Sequence, residues 1–282
     1  MPRASDDPRI QAVKSEILSL AGENVVEFFR DILRQGLDEV IDGGRTGRWC
    51  VEELAKTEKT YIGTKVEILL GSALDVPRGD VLDYKIAGEE VDAKMTVGTD
   101  WMIPAEAFDR ICILLRADEG RRLFSVGLLR MTEDNLRLGL NQDSKNSVSA
   151  QGKRNIDWLI PPAALPLNFL ASLTEAERAA VFAKRRGQAR VTEFLRLATG
   201  RVIPRLAIET LGQQDDPMKR IRKNGGAQDE LLPEGIVVLV GTWVKHREVA
   251  EANGIPNLGP GEVAALKTTI QRAREINLEL ER

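Results

Sequence analysis

Charge is distributed unevenly along this sequence, and this limits the possible folds more than any single motif. The chain has 282 residues and a formal net charge of -3. The segment from Arg178 to Lys223 nevertheless contains twelve Lys and Arg residues against four acidic ones, a local excess of +8 that leaves about -11 elsewhere. Such polarisation predicts an acidic or neutral N-terminal part followed by a basic module, and the length is sufficient for two domains.

The scarcity of cysteine and histidine excludes several kinds of site. Cys50, Cys112 and His246 are the only residues of these types. A structural zinc site needs about four such ligands, so zinc fingers, zinc-dependent deaminases, HNH-type nucleases and a disulfide scaffold are excluded. The remaining chemistry is that of carboxylates, lysine and arginine.

No targeting or membrane segment is recognisable. The charged N-terminus is not followed by the apolar core of a signal peptide, and no run of about 18 apolar residues occurs. We therefore expect a cytoplasmic protein with no membrane partner.

The apolar pattern predicts an α/β first domain over residues 1–150. Helical spacing predicts two helices between Ile10 and Val40, broken near Gly22, and further helices at Val51–Ala55 and Gly63–Leu74. Strand patterns follow at Asp80–Ile86, Glu90–Val97, Arg110–Leu115 and Leu123–Leu129. Helices packed on a mixed sheet are implied, and the polar stretch Asn141–Gly152 is typical of a linker.

The second domain, residues 151–282, should be mainly α-helical. Helices are predicted at Glu175–Arg186, Gln188–Ala198 and Pro204–Leu211, and a strand at Ile236–Val240. Asp215-Asp216-Pro217 is a helix-start signal ahead of Lys219, Arg220, Arg222 and Lys223. This order, with Arg190 nearby, predicts a helix-turn-helix whose second helix binds DNA, although a solvated basic face is the alternative.

Three charged side chains of the predicted hairpin, Asp83, Asp92 and Lys94, are candidate catalytic residues. Side chains two residues apart on a strand share a face, so Asp92 and Lys94 point the same way. Asp83 joins them from the other strand, and Glu67 on the preceding helix offers a third carboxylate. Carboxylates bind Mg²⁺, and an ammonium group beside them can assist a metal-activated water in phosphodiester hydrolysis. The alternative is a solvated hairpin with cross-strand ion pairs.

Two registers of this hairpin are open. Pairing Ala87 with Glu90 sets Asp83 opposite Lys94, and pairing Ile86 with Glu89 sets it opposite Asp92. Both registers put Asp83 on the same face as the other two side chains.

Several short segments follow a recognisable order and spacing. In the first half they are Arg45-Thr-Gly-Arg-Trp49, Lys56–Thr60, Gly63-Thr64, Val66-Glu67, Asp83-Tyr84, Ile86–Gly88 and Val91–Lys94. In the second half they are Gly187–Val191, Gln213–Asp216, Met218–Arg220 and Pro233–Ile236. Over roughly Val40 to Lys267, their order and spacing resemble those of the NaeI-type restriction endonucleases. Residues from Thr132 to Leu173 match poorly.

The resemblance implies a homodimeric, Mg²⁺-dependent type II restriction enzyme acting on double-stranded DNA. It implies an N-terminal endonuclease domain of the PD-(D/E)xK superfamily and a C-terminal winged-helix domain like that of catabolite activator protein. The family's metal-binding and catalytic acids fall on Glu67, Asp83 and Asp92, and its catalytic lysine falls on Lys94. Leu82 replaces the proline that often precedes the first acid.

We therefore expect sequence-specific cleavage that leaves 5′-phosphate ends, with activation by a second, effector copy of the DNA site implied by the resemblance. No small-molecule cofactor other than a divalent metal is expected. One alternative is a MutH-like repair endonuclease that nicks one strand. The other is a winged-helix regulator with a vestigial nuclease domain.

Overall fold

Separate hydrophobic cores divide the chain into two units. The computed structural model describes residues 7–137, 146–166, 168–185, 187–213, 217–221 and 225–281. The first unit comprises Met1–Val40 and Leu54–Leu167, and the second comprises Ile41–Glu53 and Asn168–Arg282. Residues 151–166, which the sequence analysis assigned to the second domain, belong here to the first unit.

The α-helices in the described residues are α1 (Pro8–Ala21), α2 (Val25–Ile41), α3 (Gly43–Thr46), α4 (Lys56–Leu74), α5 (Ala150–Asn155), α6 (Glu175–Ala183), α7 (Gln188–Leu197), α8 (Arg205–Gly212), α9 (Ala227–Leu231), α10 (Val244–Ala252) and α11 (Ile270–Glu281). The strands are β1 (Tyr84–Ile86), β2 (Glu89–Thr96), β3 (Met102–Ile103), β4 (Ile111–Asp118), β5 (Leu123–Arg130), β6 (Asn146–Ser147), β7 (Asp157–Ala164), β8 (Val202–Ile203), β9 (Ile236–Val240) and β10 (Val263–Lys267).

The helices of the first unit follow the apolar spacing of the sequence. Gly22, with φ of +75°, separates α1 from α2, as the sequence predicts. The side chain of Asp7 accepts a hydrogen bond from the Arg9 backbone N–H at 2.9 Å and caps α1. Helix α4 is longer than predicted and begins at Lys56.

A mixed five-stranded sheet in the order β1-β2-β4-β5-β7 forms the centre of the first unit. Strands β2 and β4 are parallel, whereas the other neighbours are antiparallel. Strand β7 contains Pro161 and Pro162, and the sequence analysis predicts no strand there. Proline is compatible with this position because β7 is an edge strand and needs backbone donors on one side only.

The β1–β2 hairpin adopts one of the two registers left open by the sequence. Ile86 pairs with Glu89 across a two-residue turn. Ala87 and Gly88 occupy that turn with φ of +50° and +79°, the geometry of a type I′ turn. The register continues through Tyr84 opposite Val91, so Asp83 lies opposite Asp92 rather than Lys94.

The second unit contains a three-stranded antiparallel sheet in the order β8-β10-β9. Helices α7 to α9 share a core with this sheet, in which Val191, Phe194 and Leu211 are fully buried. The segment Ile41–Glu53 belongs to this unit. A Cβ added at Gly43 would lie 2.3 Å from the Thr210 hydroxyl, so glycine permits close contact between α3 and α8.

The predicted helix after Asp215 differs in the structure. Pro217–Ile221 forms a short 3₁₀-helix. Asp215, Asp216, Arg222 and Lys223 lie outside the described residues, as does part of the predicted linker, residues 141–145. The rest of that linker contains β6 and the beginning of α5.

Across the described ranges, no helix is both long and apolar enough to cross a membrane.

Candidate active site

The hairpin brings Asp92 and Lys94 into direct contact, as their spacing on β2 predicts. The Lys94 ammonium lies 2.8 Å from Asp92 Oδ1 and 2.7 Å from Oδ2. Lys94 also donates to the Ala93 carbonyl at 3.3 Å. Asp92 is 3% exposed, so this ion pair is largely withdrawn from water.

Asp83 forms the centre of the carboxylate group. Its Oδ2 accepts a hydrogen bond from the Ala93 backbone N–H at 2.8 Å, which ties it to β2. Its carboxyl group is also within hydrogen-bonding reach of both Glu67 and Asp92. The hairpin register produces this clustering, because it sets Asp83 opposite Asp92.

Tyr84, a residue that the sequence analysis did not single out, holds Glu67 next to the hairpin. The Tyr84 hydroxyl donates to the Glu67 backbone carbonyl at 2.6 Å. A Cβ added at Gly71 would lie 2.9 Å from the Tyr84 ring, so this glycine allows the ring to contact α4. The signal in the sequence was Gly71, the glycine four residues after Glu67, because its missing side chain leaves room for the aromatic ring.

Burial and the approach of Asp83 shift the pKa values of the other two acids. Burial, together with a hydrogen bond to Asp83, raises the pKa of Asp92 to about 7 although Lys94 opposes the shift. Burial and the charge of Asp83 likewise raise the pKa of Glu67. Burial lowers the pKa of Lys94, but the carboxylates of Asp92 and Asp83 outweigh it, and the net pKa lies above its ordinary value. Lys94 is therefore a cation.

The donor set fits a divalent cation that prefers oxygen ligands. Three carboxylates lie near one ammonium, and the buried Asp92 Oδ2 lies 2.7 Å from the Lys94 ammonium. No three acidic, cysteine or histidine side chains among the described residues form a ready-made metal cluster. Instead, Asp83 approaches Glu67 and Asp92 in two separate pairs, so the acids have the right chemistry but not a closed ligand shell.

The predicted DNA-binding residues belong to the second unit, whereas the acids belong to the first. Arg190 donates to the carbonyls of Phe182 and Lys184, each at 3.3 Å, and stacks over the Phe182 ring at 5.0 Å. Lys219 is exposed and Arg220 half-buried on the 3₁₀-helix. The internal contacts of Arg190 favour a structural role for it.

Other cations of the basic segment also have partners within the second unit. Arg196 pairs with Glu193 at 2.5 Å and Glu234 at 2.7 Å, and Arg205 pairs with Glu209 at 2.6 Å. Two more arginines stack on aromatic rings, Arg178 on Trp49 and Arg201 on Phe169. The charge excess counted along the sequence therefore overstates the positive charge available to a ligand.

We predict that Asp92→Asn stabilises the metal-free protein at alkaline pH. The folded protein retains the Asp92 proton up to about pH 7, whereas an unfolded chain releases it near pH 4. The resulting stability is present below about pH 4 and is lost as the pH rises through about 7. At pH 8 in EDTA, the variant should therefore melt about 2–5 °C above the wild type.

The matched control is Glu106→Gln, which removes an exposed carboxylate of the same unit. The melting temperatures of the wild type and both variants are compared at pH 5 and at pH 8. Equal pH dependence in the wild type and in Asp92→Asn would contradict the pKa assigned to Asp92.

Comparison with known proteins agrees with the family resemblance seen in the sequence. The sequence model of the family described as "Restriction endonuclease NaeI" matches residues 22–277. The type II restriction enzyme NaeI of Lentzea aerocolonigenes is 35% identical over 272 residues, which cover 94% of this chain and 84% of that relative. The predicted family and enzyme class are thereby confirmed. The chain belongs to the NaeI family of restriction endonucleases.

Proposed function

We propose that this protein cleaves both strands of double-stranded DNA at a specific sequence, using Mg²⁺ and leaving 5′-phosphate and 3′-hydroxyl ends. Membership of the restriction endonuclease family supports the reaction class. The observation that carries the proposal for this chain is the convergence of Asp83 and Asp92 beside the Lys94 ammonium.

Glu67, Asp83 and Asp92 would hold the cation through their carboxylate oxygens. When bound, Mg²⁺ lowers the pKa of a coordinated water and offsets negative charge on the phosphate. Tyr84 fixes the helix that carries Glu67, and the Ala93 N–H orients Asp83. These contacts hold two of the acids in place before substrate arrives.

Lys94 has a separate role. Its ammonium group would donate a hydrogen bond to the attacking water or to a phosphate oxygen and stabilise charge as the phosphodiester bond breaks. Asp92 holds this ammonium at 2.8 Å and keeps it protonated. The lysine therefore acts as a positioned cation.

We also propose that the second unit is a winged-helix domain that binds DNA. The element order α7, β8, α8, α9, β9, β10, with β10 between β8 and β9, resembles that of a winged-helix domain and supports this proposal. One departure is α10, which lies between β9 and β10 where a wing hairpin is expected. Lys219 and Arg220 would contact DNA, together with Arg222 and Lys223.

Three further properties are proposed on the family likeness. The protein acts as a homodimer, because two-fold symmetry in the enzyme matches a palindromic DNA site. A second copy of the site, bound by the second unit, stimulates cleavage by the first. Since a restriction enzyme meets DNA inside the cell, a cytoplasmic location follows.

We predict Mg²⁺-dependent cleavage that Lys94→Met abolishes. Purified protein incubated with mixed phage and plasmid DNA should give discrete fragments in about 10 mM Mg²⁺ and none in EDTA. Lys94→Met should lose cleavage but still retard DNA in a gel. Lys85→Met is the matched control, because Lys85 is an exposed lysine of the same hairpin, and it should cleave like the wild type.

The products distinguish the alternatives. Nicks in one strand only would favour a MutH-like enzyme. DNA retardation that is equal with and without Mg²⁺, with no cleavage of any DNA, would favour a DNA-binding regulator with a vestigial nuclease domain. Equal loss of binding and cleavage in Lys94→Met would refute the proposed role of this lysine.

We predict that the 3₁₀-helix contributes contacts to DNA phosphates. Removing both charges in Lys219→Gln/Arg220→Gln should weaken binding and flatten the plot of log affinity against log salt by about 1–2 units. Lys245→Gln, an exposed lysine of α10, is the control and should leave the slope unchanged. Gel retardation in EDTA at several salt concentrations measures the slope. An unchanged slope in the double variant would exclude these residues from the interface.

A further inference from the structure

Glu90 binds the backbone of the loop that leads into Asp83. Its Oε1 accepts the N–H of Asp80 at 2.9 Å, and its Oε2 accepts those of Val81 at 3.1 Å and Leu82 at 2.9 Å. One carboxylate thus satisfies three consecutive backbone donors that no strand neighbour reaches. Hydrogen bonds from backbone N–H groups to a carboxylate are charge-assisted and stronger than neutral ones.

The same loop is closed at both of its ends. The Lys85 N–H donates to the Pro77 carbonyl at 2.9 Å, and the Gly79 N–H donates to the Asp83 carbonyl at 3.4 Å. A Cβ added at Gly79 would lie 2.6 Å from the Leu82 carbonyl and 2.7 Å from Glu90 Oε2. Residues 77–83 therefore fit tightly around the Glu90 carboxylate, and we call this arrangement the Glu90 clamp.

The clamp fixes the residue that centres the acid cluster. Asp83 lies between Leu82 and Tyr84, which are 7% and 4% exposed. Glu90 itself is only half-buried, so its contribution is hydrogen bonding to the loop rather than apolar packing. Removing the carboxylate would release three backbone donors directly before Asp83.

The clamp also holds a cation beside the acids. Arg78 is exposed, and its charge acts on Glu67. Within the described part of the chain, Arg78 forms no ion pair or hydrogen bond through its side chain. A guanidinium group matches the geometry of a phosphate and can bind it through two parallel hydrogen bonds. An exposed arginine on a loop whose backbone is held by hydrogen bonds, near carboxylates that repel DNA, is therefore suited to bind a backbone phosphate.

We propose that Glu90 is a positioning residue that orders the loop 77–83, and that Arg78 on this loop binds a phosphate of the substrate DNA beside the active site. The inference rests on the proposed function, since it takes DNA as the substrate. Glu90 acts through Asp83 and Arg78 and does not itself contact the reacting atoms.

Two readouts separate these roles. Calorimetric titration with Ca²⁺ alone, without DNA, measures how well the acids are positioned. DNA retardation in EDTA over a series of salt concentrations counts the phosphate contacts, because each lost contact lowers the salt slope by about 0.9. Neither readout requires cleavage.

Glu90→Gln should change both readouts. We expect its Ca²⁺ affinity to fall about 10–100-fold, as for other residues that orient metal ligands, and its salt slope to fall by about one. Arg78→Gln should lower the salt slope by about one without lowering Ca²⁺ affinity, because the lost positive charge no longer repels the cation. The control for Glu90→Gln is Glu89→Gln, because in the wild type Glu89 is the adjacent carboxylate and pairs with Arg9 instead of the loop. The control for Arg78→Gln is Arg121→Gln, which removes an exposed arginine on the β4–β5 turn.

Gly79→Ala tests the clamp from the loop side without changing a charge. It should lower Ca²⁺ affinity as Glu90→Gln does, and the two effects should not add in the double variant because both disrupt one arrangement. This variant carries the test if Glu90→Gln does not fold.

The outcomes separate the inference from the proposed function. If Glu90→Gln and Glu89→Gln bind Ca²⁺ equally well, the positioning role of Glu90 is refuted even when the wild type cleaves DNA. An unchanged salt slope in Arg78→Gln refutes the phosphate contact. If the wild type neither binds nor cleaves DNA, the proposed function fails, and the Ca²⁺ comparison still decides the role of Glu90.

Discussion

Burial of Asp92 against a second carboxyl group, Asp83, which also repels it, is the constraint on which the candidate active site depends. Folding brings the two carboxyl groups within hydrogen-bonding reach and buries one of them, although each would be better hydrated apart. Lys94 offsets part of this cost, and the raised pKa of Asp92 shows that it does not offset all of it. Such stored repulsion is expected where a fold is arranged for a cation rather than for its own stability.

The surrounding contacts oppose this repulsion and hold the acids in place. The type I′ turn at Ala87 and Gly88 sets the register, and the Ala93 N–H and the Tyr84 hydroxyl fix the carboxylate of Asp83 and the helix of Glu67. These contacts come from backbone geometry and a buried aromatic residue. The acids are therefore placed by parts of the hairpin that do not themselves titrate near neutral pH.

Much of the first unit could be predicted from periodicity and turn chemistry. The break at Gly22, the mixed sheet and the shared face of Asp92 and Lys94 follow from local spacing. The hairpin register could not be chosen, because a two-residue turn fits both at Ala87-Gly88 and at Gly88-Glu89. Strand β7 was missed because its prolines weaken a strand pattern, and only its position at the sheet edge makes them acceptable.

Charge counting was less informative for the second unit. A run of arginines predicts a cationic surface only if no acidic side chain or carbonyl group binds those arginines in the folded protein. The sequence alone does not show which groups lie against them. Arg196 and Arg205 pair with acids, and Arg190 donates to two carbonyls. Sequence spacing reveals the Arg205–Glu209 pair, four residues apart on a helix, but not the Arg196–Glu234 pair.

The central claim is that the acids are arranged for a divalent cation, and thermal unfolding at pH 8 with and without Mg²⁺ tests it most directly. A ligand that binds only the folded state stabilises it by RT ln(1 + [L]/Kd). The account predicts that Mg²⁺ raises the melting temperature of the wild type and has little effect on Asp92→Asn. Equal responses of the two proteins, or no response in the wild type, would contradict it.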